Sequence, residues 1–202
     1  MTQPDTYLTI ADVVSEGSYS EKRSRFLAFA HHVETAAEVK TIVDQYKRKY
    51  YDARHVCYAY MLGVSRETFR TVDDGEPSST AGKPILGQIN SRSLTDVLVV
   101  VVRYYGGINL GTSRLIVAYR EAAAAALDNA TTQQREITTM LSVAFPYEKT
   151  DAVNRVIHDL QPTIISQQYD LQPTIVLSIR QSMAQQLADR LEKIPSVTVT
   201  FQ

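Results

Sequence analysis

Among its 202 residues the chain has no tryptophan and a single cysteine, Cys57. One thiol cannot form an internal disulfide, nor can it build a thiolate-rich zinc site. Net charge is nearly absent as well: 21 Lys+Arg stand against 22 Asp+Glu, a formal net of −1. That balance excludes a histone-like, grossly basic nucleic-acid binder but leaves room for a local basic patch. There is no long apolar run. Even the valine-rich run Val97 to Val102 is far too short to span a bilayer. The opening stretch MTQPDTYLTI has neither a basic region nor an apolar core, so no signal peptide is expected. The chain reads as soluble and cytoplasmic, with no membrane partner.

Glycine is missing from the whole C-terminal part. All eight glycines lie at or before Gly111, whereas ten of thirteen glutamines fall at or after Gln133. Glycine is used where backbone turns tightly or lies close to something else, so this change of style marks a change of domain. The junction falls in Asn129 to Glu136, giving domains 1–132 and 133–202. Split at 136, the first part carries 16 basic and 16 acidic residues and the second 5 and 6. Each domain is therefore close to neutral by itself.

What is present is a globular composition, 44% hydrophobic and 21% charged. In the first domain the spacing predicts strands over Ser24–Val33, His55–Leu62 and Asp96–Tyr104, the last buried on both sides. Helices are predicted over Thr35–Tyr51, 85–90 and Gly111–Ala130, where the Ala122–Ala126 run permits close packing. Downstream, strands over Ile137–Phe145, Thr163–Tyr169, Thr174–Arg180 and Val197–Phe201 alternate with helices over Tyr147–Leu160 and Met183–Lys193. That order is βαββαβ, a ferredoxin-like unit, and the class is α+β.

Four segments carry polar chemistry. In the first, Val97–Leu115, a buried strand runs through Gly106-Gly107 into a helix start with Thr112 or Ser113 placed to cap it. A helix start with free N–H groups, flanked by Arg103 and Arg114, suits an anion. The spacing is neither a Walker A loop nor GxGxxG, and a simple tight turn explains the glycines equally well. In the second, Arg70–Pro84, three carboxylates (Asp73, Asp74, Glu76) suit a divalent metal, or else sit near the start of a helix capped by Ser78, Ser79 or Thr80. Lys83 either neutralises one of these acids or faces a ligand.

The third segment is Asp52–Tyr60, where His55 and Cys57 share one strand face. Cys57 reads as a small buried hydrophobe rather than a nucleophile, and His55 beside Arg54 as the better ligand-facing candidate. His31, His32 and His158 have no partners at metal-ligand spacing. Last, residues 22–54 hold eight Lys/Arg against four acids, with Tyr46, Tyr50 and Tyr51 interleaved. Basic residues among aromatics suit a single-stranded nucleic-acid surface, and Lys47-Arg48-Lys49 equally suit a helix C-terminus.

Taken together, Ser24-Arg25-Phe26, Asp52-Ala-Arg-His55 with Cys57-Tyr58-Ala59-Tyr60, Asp73–Pro84, and Val102–Gly107 with Leu110-Gly111 resemble the IMPACT/YigZ family. The resemblance covers about residues 19–130, and the βαββαβ unit resembles the extra domain of the bacterial YigZ branch. It implies a fold like the second domain of ribosomal protein S5, followed by a ferredoxin-like domain, a pairing similar to the tandem near the end of elongation factor G. It implies translation regulation, since eukaryotic relatives bind the ribosome-associated activator of an amino-acid-starvation kinase. The family has no established catalytic residues, so none is carried over, and no cofactor is expected.

The leading expectation is therefore a non-enzymatic, translation-associated protein that binds RNA or a ribosomal partner through its first domain. Arg25, Arg54, His55, Lys83, Arg103 and Arg114 would contact phosphates, and Gly106-Gly107 would permit close approach. The alternatives are a metal-assisted enzyme acting on a phosphorylated small molecule, with metal on Asp73, Asp74 and Glu76 near the glycine turn, and a protein–protein interaction module.

Overall fold

The computed structural model describes residues 5–202. The reading of the amino-terminal stretch as lacking a signal peptide falls partly outside them. The chain divides into two compact units, one of residues Tyr7–Arg135 and one of Glu136–Gln202 joined by residues 5–6. No helix among the described residues is long and apolar enough to cross a membrane.

The Tyr7–Arg135 unit is built on a five-stranded, wholly antiparallel sheet. Its strands are β2 (Ser15–Glu21), β3 (Ser24–His32), β6 (Val97–Tyr104), β4 (His55–Leu62) and β5 (Thr68–Val72), side by side in that order. Strand β6 lies at the centre, and Val97–Val102 are all fully buried. Alternate residues along a strand point to opposite faces. Val97, Val99 and Val101 meet Phe26, Cys57, Ile85 and Tyr119 on one face, while Leu98, Val100 and Val102 meet Phe29, Val39 and Val43 on the other. Helix α1 (Ala36–Lys49) thus covers one face, and α2 (Gly82–Ser91) with α3 (Thr112–Asp128) covers the other. Each such side chain, fully buried, contributes ~1.5–3 kcal/mol.

Helix α1 starts where its sequence says it should. The Thr35 hydroxyl accepts from the Glu38 N–H at 3.2 Å, and the Glu38 carboxylate accepts from the Glu34 N–H at 2.8 Å. Its last turn carries Lys47, Arg48 and Lys49 against the negative end of the dipole.

Four strands have no clear sequence signature. The inward positions of β2 are Ser15, Gly17 and Tyr19 rather than aliphatics, and a side chain at Gly17 would lie 2.2 Å from the Ala126 nitrogen. Strand β2 therefore packs backbone-close on the alanine run of α3. Strand β5 is short and exposed to intermediate in burial. Strands β1 (Thr6–Ile10) and β7 (Thr132–Glu136) pair with each other. Strand β7 occupies the segment whose composition reads as a junction, so the chain there is hydrogen-bonded structure rather than a bare linker.

In the second unit, β8 (Thr138–Ala144), α4 (Thr150–Leu160), β9 (Thr163–Tyr169), β10 (Pro173–Arg180), α5 (Gln181–Glu192) and β11 (Thr198–Phe201) follow one another. The sheet is antiparallel in the order β11-β8-β10-β9. Leu141, Val143, Ile175 and Leu177 face Val153, Val156, Leu187 and Leu191 of the two helices. Helix α4 begins at Thr150, three residues later than its periodicity suggests, because Tyr147–Lys149 form a 3₁₀ turn.

Candidate functional site

At one end of the central strands the first unit holds a cleft of about 470 Å³. Strand register creates it: His55, the first residue of β4, sits opposite Arg103 near the end of β6, on the face covered by α2 and α3. The loop 73–81 folds over this end, and the start of α3 forms the far wall. Arg54, His55, Glu76 and Arg103 line one side, and Tyr105, Asn109, Gly111 and Thr112 the other.

A buried polar network forms the floor. Glu76 Oε1 accepts from Arg103 Nη1 at 2.5 Å and from the Tyr119 hydroxyl at 2.7 Å, and His55 Nε2 lies 3.8 Å away. Glu76 and Arg103 are only 3% and 6% exposed, so each needs the other to remain charged out of water. His55 Nδ1 lies 2.8 Å from the Asp74 carbonyl oxygen, which can only accept, so this nitrogen carries the hydrogen. The Arg103 guanidinium lies 5.5 Å from the Phe26 ring centre and 5.7 Å from that of Tyr105. Its buried Nε has no hydrogen-bond partner among the described residues. Cys57 Sγ is 3.0 Å from the Asp73 carbonyl and 3.3 Å from the Tyr119 hydroxyl. Burial pushes the Cys57 thiol and the Tyr119 hydroxyl well up, so both stay protonated at neutral pH.

The opposite wall is a helix start without a side-chain cap. Gly111 occupies the N-cap at φ +77° with no side chain to accept from the first turn. Gly111 and Thr112 line the cleft, so the positive end of the α3 dipole lies at its wall. Arg54, exposed at the mouth, is anchored through its N–H to the Arg103 carbonyl at 3.0 Å. Among the described residues it joins none of the ion pairs.

Residues 22–127, which include every residue lining this cleft, match the Impact N-terminal domain. The chain is 34% identical over 150 residues to the IMPACT family member YigZ of Escherichia coli (strain K12), covering 73% of this chain and 74% of that one. The chain belongs to the IMPACT family. It is also 36% identical over 110 residues to Protein IMPACT of Xenopus laevis, covering 52% of this chain and 35% of that protein. A crystal structure of a hypothetical protein superposes with a TM-score of 0.76 at 27% identity, covering 98% of this chain and 97% of that one.

Within this IMPACT-family chain the sequence-predicted site residues separate. Arg54, His55 and Arg103 meet at the cleft. Arg25 is exposed on β3, opposite Tyr104, and Lys83 is exposed on α2; neither lines the cleft. Arg114 is half-exposed, 3.9 Å from Glu21. Gly106 serves the protein's own packing: a side chain there would lie 2.2 Å from the Arg23 carbonyl carbon, and its N–H donates to Ser24 Oγ at 3.2 Å. Its close approach is to the β2–β3 hairpin, not to a ligand. Gly107 is needed for its φ of +82°.

The three carboxylates do not converge, which corrects the metal reading. The Asp73 carboxylate accepts from the N–H groups of Ser79, Ala81 and Gly82 at 2.8–3.0 Å, and so caps α2 in place of Ser78, Ser79 or Thr80. Asp74 accepts from the Val56 N–H and from Lys47 Nζ, both at 2.8 Å. Burial alone would raise the Asp74 carboxyl, but these two hydrogen bonds together with the nearby charge of Lys47 and the His55 ring outweigh it, and its pKa is lowered. Glu76 is held by Arg103 and Tyr119. Among the described residues no three His, Cys, Asp or Glu side chains are arranged to hold a metal.

The basic-aromatic segment is also divided. Tyr46 and Tyr50 pack on Phe29, with ring centres 4.7 and 5.7 Å away, leaving only Tyr51 fully out in solvent. Sequence reasoning missed Tyr105 and Asn109 as cleft residues and Tyr119 as the partner of Glu76, and it gave Thr112 or Ser113 a capping place that Gly111 holds instead. The signal for Tyr119 was its spacing of four from Leu115, which places both on the buried face of α3.

Proposed function

We propose that this protein is a translation-associated, non-enzymatic regulator of the cytoplasm, binding RNA or a ribosomal partner through phosphate contacts made by its Tyr7–Arg135 unit. The two units are read as a fold like the second domain of ribosomal protein S5 and a ferredoxin-like domain. Membership of the IMPACT family supports the link to translation. The observation that carries the binding reading is the convergence of Arg54, His55 and Arg103 on a helix start with uncapped N–H groups. Glu76 matches Arg103, so Arg54 and the positive end of α3 supply the net attraction, and a concave site focuses it on an anion.

Phosphate contacts release counterions, so the affinity falls by about one log unit per decade of salt for each phosphate neutralised. Co-sedimentation with ribosomes, or with ribosomal RNA, at several salt concentrations measures that slope. Arg54→Ala is expected to weaken binding and reduce the slope by about one. Salt-insensitive binding that Arg54→Ala leaves unchanged would replace this reading with a protein-contact surface. Absence of binding to any RNA or ribosomal fraction would remove it.

A further inference from the structure

The shape of the cleft narrows what its cations can hold. A polynucleotide bound along its length needs a basic track open at both ends, because the chain must enter and leave. Here the floor is closed by the Glu76–Arg103–Tyr119 network and by Leu115, and Arg25 and Lys83 do not extend the cationic lining. With no cationic track running on from the cleft, the site suits a group presented at the end of a ligand rather than a backbone laid through it.

Charge narrows it further. Glu76 is matched by Arg103, so the uncompensated positive groups are Arg54 at the mouth and the start of α3, a partial charge of about +0.5. Arg103, 6% exposed, lines the cleft with a buried Nε that has found no acceptor. A terminal phosphate suits this set: it carries about −1.5 to −2 charge at pH 7 and three strong acceptor oxygens. A mid-chain diester has one charge and two free oxygens. At the rim, the ring of Tyr105 is 47% exposed, its hydroxyl donating to Asn109 Oδ1 at 3.2 Å. An aromatic face held at the mouth is a platform for a base. About 470 Å³ lies within the range of small-ligand sites, ~300–1,000 Å³.

We infer that the cleft between His55, Arg103 and the start of α3 is a binding site for a nucleoside 5′-phosphate group, its phosphate on Arg54 and the first-turn N–H groups of α3 and its base against Tyr105. The group can come from a free nucleotide or from the 5′ end of an RNA chain. This rests on the anion-binding reading above and specifies the ligand of the same site.

Calorimetric titration of the full chain tests it, with adenosine 5′-monophosphate, adenosine, and a short single-stranded RNA carrying either a 5′-phosphate or a 5′-hydroxyl. Saturable 1:1 binding is expected for the two phosphorylated probes, each at least about tenfold tighter than its unphosphorylated counterpart, the loss expected for one charge-assisted contact. Arg54→Ala should weaken both by about tenfold. Thr112→Glu should do the same by placing a like charge where the phosphate sits, while an acid at a helix start favours the fold. Unchanged circular dichroism and Tm in both variants would exclude unfolding as the cause.

Equal binding of phosphorylated and unphosphorylated probes would overturn the inference, as would full affinity in both variants. The outcomes also separate the two readings. RNA bound regardless of its 5′ end would discard the terminal-phosphate site and keep the RNA reading. Adenosine monophosphate bound by a protein that ignores RNA and ribosomes would keep the site, with a free nucleotide as ligand, and discard the translation reading. Tighter binding of 5′-phosphorylated RNA than of the mononucleotide would assign the site to RNA ends.

Discussion

Single residues in this protein do two kinds of work that share one face of one sheet. Glu76, Arg103 and Tyr119 hold a charge pair out of water, where removing one partner typically costs ~3–5 kcal/mol because the other is left buried alone. Asp73 and Asp74, which look like metal ligands in a string of letters, spend their oxygens on backbone N–H groups and on Lys47. On the α1 face a partly buried group sets a pH response. Burial pushes the His31 imidazole down from 6.5 to about 4, with Nε2 2.8 Å from the Tyr46 hydroxyl. The unfolded chain takes up this proton near 6.5 and the folded chain only near 4. The contribution of neutral His31 is therefore complete above about 6.5 and is lost as pH falls through that window. Urea unfolding from pH 7 to pH 4 should show stability falling, and His31→Gln should flatten the fall. An unchanged slope in His31→Gln would refute this assignment.

At the scale of elements, valine and glycine explain most of what the sequence made legible. The valine run of β6 announces a strand buried on both faces, and the period of α1, α3 and α5 announces helices with one apolar side. Strands β2 and β5 stayed hidden because their packing uses small or polar residues whose inward direction is set by neighbours. Gly17 is the clearest case. It looks like a turn residue, yet it sits mid-strand because α3 lies against it. Two glycine substitutions with opposite expected signs test this. Gly17→Ala drives a methyl to within 2.2 Å of the α3 backbone and should destabilise by ~1–3 kcal/mol, the range for overpacking. Gly87→Ala, in α2 with nothing within 4 Å of the new atom, should stabilise by ~0.5–1 kcal/mol through helix propensity. Thermal or urea melts of the two variants measure both, and matching signs would refute the packing account.

Across the whole molecule, each unit has its own apolar core, yet the second is completed by residues from the other end of the chain. The Asp5 carboxylate accepts from the Ser182 N–H at 2.9 Å in the first turn of α5 and also bonds the Ser182 hydroxyl, and the Asp5 carbonyl accepts from the Ile137 N–H at 2.7 Å. Asp5 thus serves as a cap to a helix far away in sequence. Asp5→Ala should lower the stability of the Glu136–Gln202 unit by ~0.5–2 kcal/mol, read as earlier hydrogen exchange in α5 than in α3 relative to the parent chain. Equal exchange in α5 with and without Asp5 would show the cap to be idle. What the sequence determined alone was whatever is local: hydrophobic period, helix start signals, the glycine-free second part and the motif strings of the IMPACT family. The tertiary structure alone decided which polar residues meet. Arg54-His55, Glu76 and the Arg103–Thr112 stretch lie in three separate parts of the sequence and become neighbours only through the His55–Arg103 register and the docking of α3 on β6. Register is a property of paired strands and docking one of packed faces, and neither is written in any single segment.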